Sequence, residues 1–208
     1  MRGELTSRGE DDVELDALVY RFSSTRLSVS SAAAGGGIGR RDWIVNAEVP
    51  LDYSRTDLAL HSRELASVFH LQGDGVSMFT AAAVRRREYA TDTGVEVEAT
   101  VGLSHPTWAA GESESAGSVG TINIVAFVPV RLSDGALVNA VATATEAKAQ
   151  ALFDSSLEAT GTPSDAVTIV CSIEGEPEHF CGPRSLWGSR LARATHRAVL
   201  AGARGWSA

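Results

Sequence analysis

A chain of 208 residues, 44% of them apolar, has enough material for one sizeable core and suits one domain or at most two small ones. Its formal net charge of −8 argues against a broad nucleic-acid surface, and no apolar run reaches the roughly 18–20 residues of a membrane-spanning helix. The polar, acidic start from Met1 to Glu14 lacks the apolar core of a secretion signal, which points to a cytoplasmic protein. Cys171 and Cys181 are the only cysteines; in a reducing compartment two free thiols are the simplest reading, and two such residues are too few for a zinc site.

Residues 1–12 are charged, with little to bury, and read as a disordered or frayed tail. Two short β-rich runs follow between Val13 and Ser31, with Leu18, Tyr20 and Phe22 alternating in the first and Leu27 and Val29 in the second. Gly35, Gly36, Gly37 and Gly39 crowd the next stretch, which can be neither helix nor regular strand. It has no GxGxxG spacing and no P-loop Lys-Ser/Thr, so a tight turn competes evenly with a ligand cradle. Trp43 to Val49 is a strand stopped by Pro50. Leu58 to Leu71 is a helix with Leu58, Leu65 and Phe69 on one side. Val76 to Phe79 is a short strand and Val84 to Tyr89 a further candidate.

Val95 to Leu103 alternates strictly, with Val95, Val97, Ala99, Val101 and Leu103 facing one way and Glu96, Glu98 and Thr100 the other. That pattern predicts a strand with one wet face. His105 to Ser118 is a long polar loop. Val119 to Val130 is an apolar strand that suits burial on both faces. Ser133 caps a helix that runs to about Leu157. Ala166 to Ile173 is another apolar strand, and Leu186 to Ala203 an amphipathic helix with Arg190, Arg193 and Arg197 on its polar side. Strands first, then strand–helix–strand–helix, is the order of a single α+β domain over residues 13–208, with mixed or antiparallel sheets and flanking helices.

Four places could carry chemistry besides the glycines. Thr121 and Asn123 share one face of an apolar strand, where a buried amide is costly unless hydrogen-bonded. Lys148, the only lysine, falls in the apolar stripe of its helix with Leu137, Ala140, Val141, Ala144, Ala151 and Leu152, while Glu146 falls on roughly the opposite side. A lysine held there needs a carboxylate or a polar pocket. Thr160, Thr162, Ser164 and Asp165 crowd a turn ahead of a strand, offering either a nucleophile and oxyanion donors or simply a self-satisfied turn. The histidines are weaker signals: His61 and His196 read as surface residues of helices, whereas His105 and His179 lie on loops and could enter a site. No pair has HExxH spacing and no GxSxG elbow occurs, so no metal site is expected.

The ordered set of Gly120-Thr-Ile-Asn-Ile124, Leu132-Ser133, Ala136-Leu137, Thr145-Glu-Ala-Lys-Ala149 and Ala159-Thr-Gly-Thr-Pro-Ser-Asp-Ala166 resembles the adenosylcobinamide amidohydrolase family. Ser30-Ser-Ala with the triple glycine, Asn46 with Val49-Pro50 and Tyr53, Met78-Phe-Thr-Ala81 and Thr100-Val-Gly-Leu-Ser104 are similar too, and in order, so the resemblance spans about Leu27 to Gly188. It implies hydrolysis of the amide between a corrin side chain and aminopropanol, with adenosylcobinamide as the corrinoid partner, no cofactor, no nucleic acid and no membrane; a homo-oligomer is compatible with it. His105-Pro-Thr-Trp108 and Pro163 depart from the family pattern and bear on substrate choice. The element order is also similar to that of self-processing aminopeptidases and ornithine acetyltransferases, which implies a layered αββα sandwich, without a processing motif for self-cleavage.

On this basis Asn123 or loop amides are expected to hold the oxyanion, Lys148 or Glu146 to move protons, and Thr162, Ser164 and Asp165 to position nucleophile or substrate. Substrate contacts are expected from Gly35, Gly36, Gly37, Asn46, Thr80, His105, Thr121 and Thr160, with Trp108 over the corrin face. Two other readings stand beside this one: a corrinoid-binding protein without catalysis, and an amidohydrolase of another small amide.

Overall fold

The computed structural model describes residues 1–10, 12–111 and 120–206. These described residues form eight strands and three helices in one α+β domain. They are β1 (Glu4–Glu10), β2 (Val13–Ser30), β3 (Gly37–Glu48), α1 (Leu58–Val68), β4 (Gly75–Thr80), β5 (Glu88–Asp92), β6 (Val95–Gly102), β7 (Thr121–Val128), α2 (Asp134–Asp154), β8 (Ala166–Cys171) and α3 (Leu186–Gly205), with a single 3-10 turn at Val84–Arg86. The strands form one mixed sheet in the order β4-β3-β2-β8-β7-β6-β5, and β1 is added along β2. β3–β4 and β7–β8 are parallel and are joined through α1 and α2; the other pairings are antiparallel.

β2 organises the sheet. The two short runs expected here are one strand of 18 residues, interrupted by a register shift between Arg21 and Arg26. Its first half pairs β1 and its last residues pair β8, while β3 follows it along the other edge. Through this irregular strand the sheet folds over, so that two leaves of the same sheet face each other. Leu18, Tyr20, Ile44, Val76 and Met78 of one leaf pack against Val125, Ala166 and Val170 of the other. Tyr20 and Phe127 meet across the interface with ring centroids 5.9 Å apart. α1 covers the outside of the first leaf through Leu65 and Phe69 against Val19, Trp43 and Val45. α2 and α3 cover the outside of the second leaf, over Val97, Ile122, Ile124 and Ile169. The layer order is therefore helix, leaf, leaf, helices, built from one continuous sheet.

This folding-over explains two corrections. The alternation along β6 is real, but its polar side is not wet: Glu98 and Thr100 are buried between the leaves. Glu98 accepts hydrogen bonds from the Tyr20 hydroxyl (2.9 Å) and the Gly3 amide (2.8 Å) and pairs with Arg87. The N-terminus, read as a frayed tail, forms β1 instead. Its charges are not idle, since Arg8 is buried and donates to Glu10 and to the Glu48 carbonyl. Composition marks a segment as polar without showing that its backbone completes an otherwise open strand edge.

The helices end as their sequences dictate. Ser133 caps α2 through the Ala136 amide, and Ser185 caps α3 through the Gly188 amide. After α1, His70 takes the left-handed position (φ 53°), with Leu71 N–H on the Ala66 carbonyl and His70 N–H on that of Ser67, a Schellman ending without glycine. The basic side of α3 pins the β5–β6 turn: Arg193 and Arg197 pair with Asp92, and Arg190 reaches the Thr93 carbonyl. The expected strand at Val84–Tyr89 divides into the 3-10 turn and the start of β5. Of the loop expected from His105 to Ser118, residues 112–118 lie outside the described residues, as does position 119 of the strand expected to follow it. Among the described residues no helix is long and apolar enough to cross a membrane, and no cluster of His, Cys, Asp or Glu is placed to hold a metal. Cys171 and Cys181 are buried free thiols, and burial pushes the Cys181 thiol up to about 11.

Candidate active site

A cleft of about 490 Å3 opens between the leaves. Its floor comes from Thr121 at the start of β7 and from Pro163, Ser164, Asp165 and Ala166 at the entry to β8. Ser31–Ala33, leaving β2, and Ser77–Ala81 of β4 and its end form the sides. Val49, Leu51, Tyr53, Arg55 and Leu58, between β3 and α1, form the opposite wall. Three of the sequence stretches singled out above therefore meet in one cavity.

The floor is a knot around Asp165. Its Oδ1 accepts from the Ile122 amide (2.8 Å) and from the Thr162 hydroxyl, and its Oδ2 from the Thr162 amide (3.1 Å) and from Lys148 Nζ. Four donors occupy the roughly four acceptor sites of the carboxylate. Lys148 rises from the buried face of α2 and lies beneath Asp165 rather than on the cleft surface; the two side chains are 8% and 11% exposed. Its place in the apolar stripe is thus explained by the carboxylate it meets. A Cβ on Gly161 would fall on both head groups, so only glycine leaves room there for the pair.

Ser164 stands free of this knot. Its side chain is exposed at the cleft, 2.6 Å from the Thr121 hydroxyl, and it donates to the Gly120 carbonyl at 2.9 Å. Behind the floor a chain of amides joins the leaves: Asn123 Nδ2 donates to Asn46 Oδ1 (2.8 Å) and to the Phe79 carbonyl (3.2 Å), and Asn46 Nδ2 donates to the Thr100 hydroxyl (3.0 Å). Both amide hydrogens of Asn123 are engaged, which leaves none for an oxyanion; the residue instead ties the β4 end to β7. Thr80 lines the cleft and accepts the Ala82 amide at 3.0 Å.

Other expected residues are placed elsewhere. Glu146 is exposed on α2, as its side of the helix implies. Gly35 and Gly36 lie in the turn from β2 to β3, Gly37 and Gly39 are paired with β2 in β3 rather than outside any strand, and none of the four lines the cleft. Gly35 (φ 74°) sits against the Gly75 carbonyl, where a side chain would clash, and Arg41 satisfies the Gly35 carbonyl at 2.9 Å. Thr160 accepts the Ala109 amide at 2.7 Å and so pins the segment carrying Trp108, which is 51% exposed outside the cleft lining. His105, half-buried, belongs to the same segment.

The wall holds residues that the sequence reading did not choose. The Tyr53 hydroxyl is 2.7 Å from His61 Nδ1, and His61 is 1% exposed, not a surface residue. The signal was present: position 61 falls in the same stripe as Leu58, Leu65 and Phe69. His61 stacks on Phe79 at 4.9 Å. Burial holds its imidazole below the ordinary histidine range, and burial raises the Tyr53 phenol.

A sequence model of the adenosylcobinamide amidohydrolase family matches residues 3–208. The chain belongs to that family. It is 28% identical over 181 residues to the adenosylcobinamide amidohydrolase of Methanosarcina mazei, covering 83% of this chain and 88% of that one. It is 32% identical over 181 residues to the enzyme of the same name from Halobacterium salinarum, covering 82% of this chain and 78% of that one. The family assignment makes this protein a hydrolase of a carbon–nitrogen amide bond, in accord with the reading of its motifs. As an amidohydrolase the chain needs donors for a carbonyl oxygen, a route for protons and a shaped cavity. The cleft offers hydroxyls on its floor and a phenol–imidazole pair on its wall.

Proposed function

We propose that this amidohydrolase cleaves the aminopropanol amide of adenosylcobinamide, giving adenosylcobyric acid and aminopropanol. One observation carries the reading: Met78-Phe-Thr-Ala81, Thr121 and Pro163-Ser-Asp165, far apart in the chain, meet at one cleft. A corrinoid is larger than a cavity of about 490 Å3, so the amide-bearing arm enters while the ring rests on the rim, where Leu51 is 73% exposed. The hydroxyls of Ser164 and Thr121 turn from the Gly120 carbonyl and from each other to hydrogen-bond the amide carbonyl as it takes up negative charge, a stabilisation that grows toward the transition state. Asp165 and Lys148 hold the turn that aims Ser164. Water is the attacking group, because no general base contacts Ser164 Oγ among its hydrogen-bond partners.

The test is incubation of the purified protein with adenosylcobinamide, followed by chromatography. Adenosylcobyric acid and aminopropanol in equal amounts are the expected products. Binding without product would support a corrinoid-binding protein, and neither binding nor product would point to another small amide.

A further inference from the structure

Amide hydrolysis in this cleft needs a proton taken from water and a proton given to the leaving nitrogen. The floor cannot supply either at Asp165, whose acceptor sites are filled, and Lys148 is turned to that carboxylate beneath the surface. The opposite wall is built differently. Tyr53 lines the cleft, and its hydroxyl meets His61 Nδ1 at 2.7 Å. On the far side of the ring, His61 Nε2 is buried without a hydrogen-bond partner and lies 3.3 Å from Glu10 Oε1. Glu10 is held in turn by Arg8, whose Nε and Nη2 donate to Oε2 at 3.0 and 2.7 Å. The ring is fixed edge to edge and face to face, stacked on Phe79 and beside Tyr53.

We propose that Tyr53, His61 and Glu10 form the proton relay of this enzyme, with the Tyr53 hydroxyl as the group that meets the reacting atoms. This rests on the amide-hydrolysis reading above. With the imidazole proton on Nε2 toward Glu10, Nδ1 accepts from the phenol, and the phenolic oxygen turns a lone pair to the cleft. Water attacks the amide carbon and gives one proton to Tyr53 Oη as Tyr53 passes its own to Nδ1. The imidazolium so formed is stabilised by Glu10. When the carbon–nitrogen bond breaks, Nδ1 returns its proton to Tyr53, and Tyr53 gives one to the leaving amine. The hydroxyl of water ends on the acid and its proton on the amine, so enzyme and charges are restored. Burial favours the starting state: it keeps the imidazole neutral and the phenol protonated at neutral pH. The charged groups facing His61 are Glu10 and Arg8 from β1, Arg55 from the preceding loop, Asp57 at the start of α1 and Glu64 within it. Arg55 is tied to Asp57 and Glu64, leaving Glu10 as the carboxylate against the ring.

The experiment is steady-state hydrolysis of adenosylcobinamide by wild type, Tyr53→Phe, His61→Gln and the double variant, each checked for folding by circular dichroism. Each single variant is expected to lose about 10²-fold in kcat with KM within about twofold, and the double variant to lose no more than about threefold further, since the residues act as one unit. The acid limb of the wild-type kcat/KM profile should vanish in Tyr53→Phe, which changes one oxygen and keeps the ring packing. Full kcat in Tyr53→Phe, or an unaltered acid limb, overturns the relay while leaving the hydrolase reading intact. A wild-type protein that forms no adenosylcobyric acid overturns both.

Discussion

The two sides of the cleft are both rich in polar atoms, yet they differ in how those atoms are used. On the floor, Asp165 receives four donors and Lys148 is spoken for, so the residues with the most conspicuous chemistry form a rigid mount. On the wall, Tyr53 and His61 share one hydrogen bond along which a proton can pass, with Glu10 3.3 Å from the far ring nitrogen. A titratable group locked in a buried ion pair holds a shape; one hydrogen-bonded to a residue that lines a cavity can pass a proton to it.

Breaking the mount should have the largest effect. Lys148→Met leaves Asp165 with three donors but no counter-charge, and it should lose about 3 kcal/mol in urea unfolding, the low end for a broken buried pair. Its folded fraction should lose less kcat than Ser164→Ala, because three donors still hold Asp165 in the turn that aims Ser164; a stable but inactive variant would move Lys148 from mount to chemistry. Next in size is Ser164→Ala, which is exposed and should leave stability within about 0.5 kcal/mol. Its kcat should fall about 10²-fold, the effect of losing one carbonyl donor. A fall in stability without a fall in kcat would make Ser164 part of the mount.

Asn123→Ala tests the tie between the leaves behind the floor. It leaves Asn46 Oδ1 and the Phe79 carbonyl without their donor and should cost about 1–3 kcal/mol in the same unfolding measurement. The wall should announce itself in the pH dependence of stability. His61 has a lowered pKa in the folded protein, so the unfolded chain binds the extra proton first. Its contribution is full above the unfolded value of about 6.5 and is lost as pH falls through that value toward the folded one. Thermal melts of the wild type should therefore fall in this window, and His61→Gln should flatten that part of the curve. The smallest effect belongs to Glu146→Gln, on the exposed side of α2, where stability should stay within about 0.5 kcal/mol and hydrolysis should not change.

Much of this was legible in the residues. The strand–helix–strand–helix order gave the α+β class, and periodicity located β6, β7, α2 and α3 to within a few residues. A lysine in an apolar stripe called for a carboxylate, and Asp165 meets it. The family was legible from ordered short motifs. What periodicity could not supply was the partner of each face. It separated Glu98 and Thr100 from Val97 and Ala99 but took their side for the wet one, because a second leaf of the same sheet covers it. It placed His61 in the stripe of Leu65 and Phe69, yet a histidine on a helix was read as a surface residue.

Local pattern by itself therefore determined which residues share a strand or helix face, and through the motifs which family the chain belongs to, since both depend on neighbours in sequence. Only the tertiary structure decided whether each polar group is satisfied, since its partners come from distant segments: Lys148 from Asp165, Asn123 from Asn46, and His61 from Tyr53 and a β1 strand that composition alone had marked as a loose end.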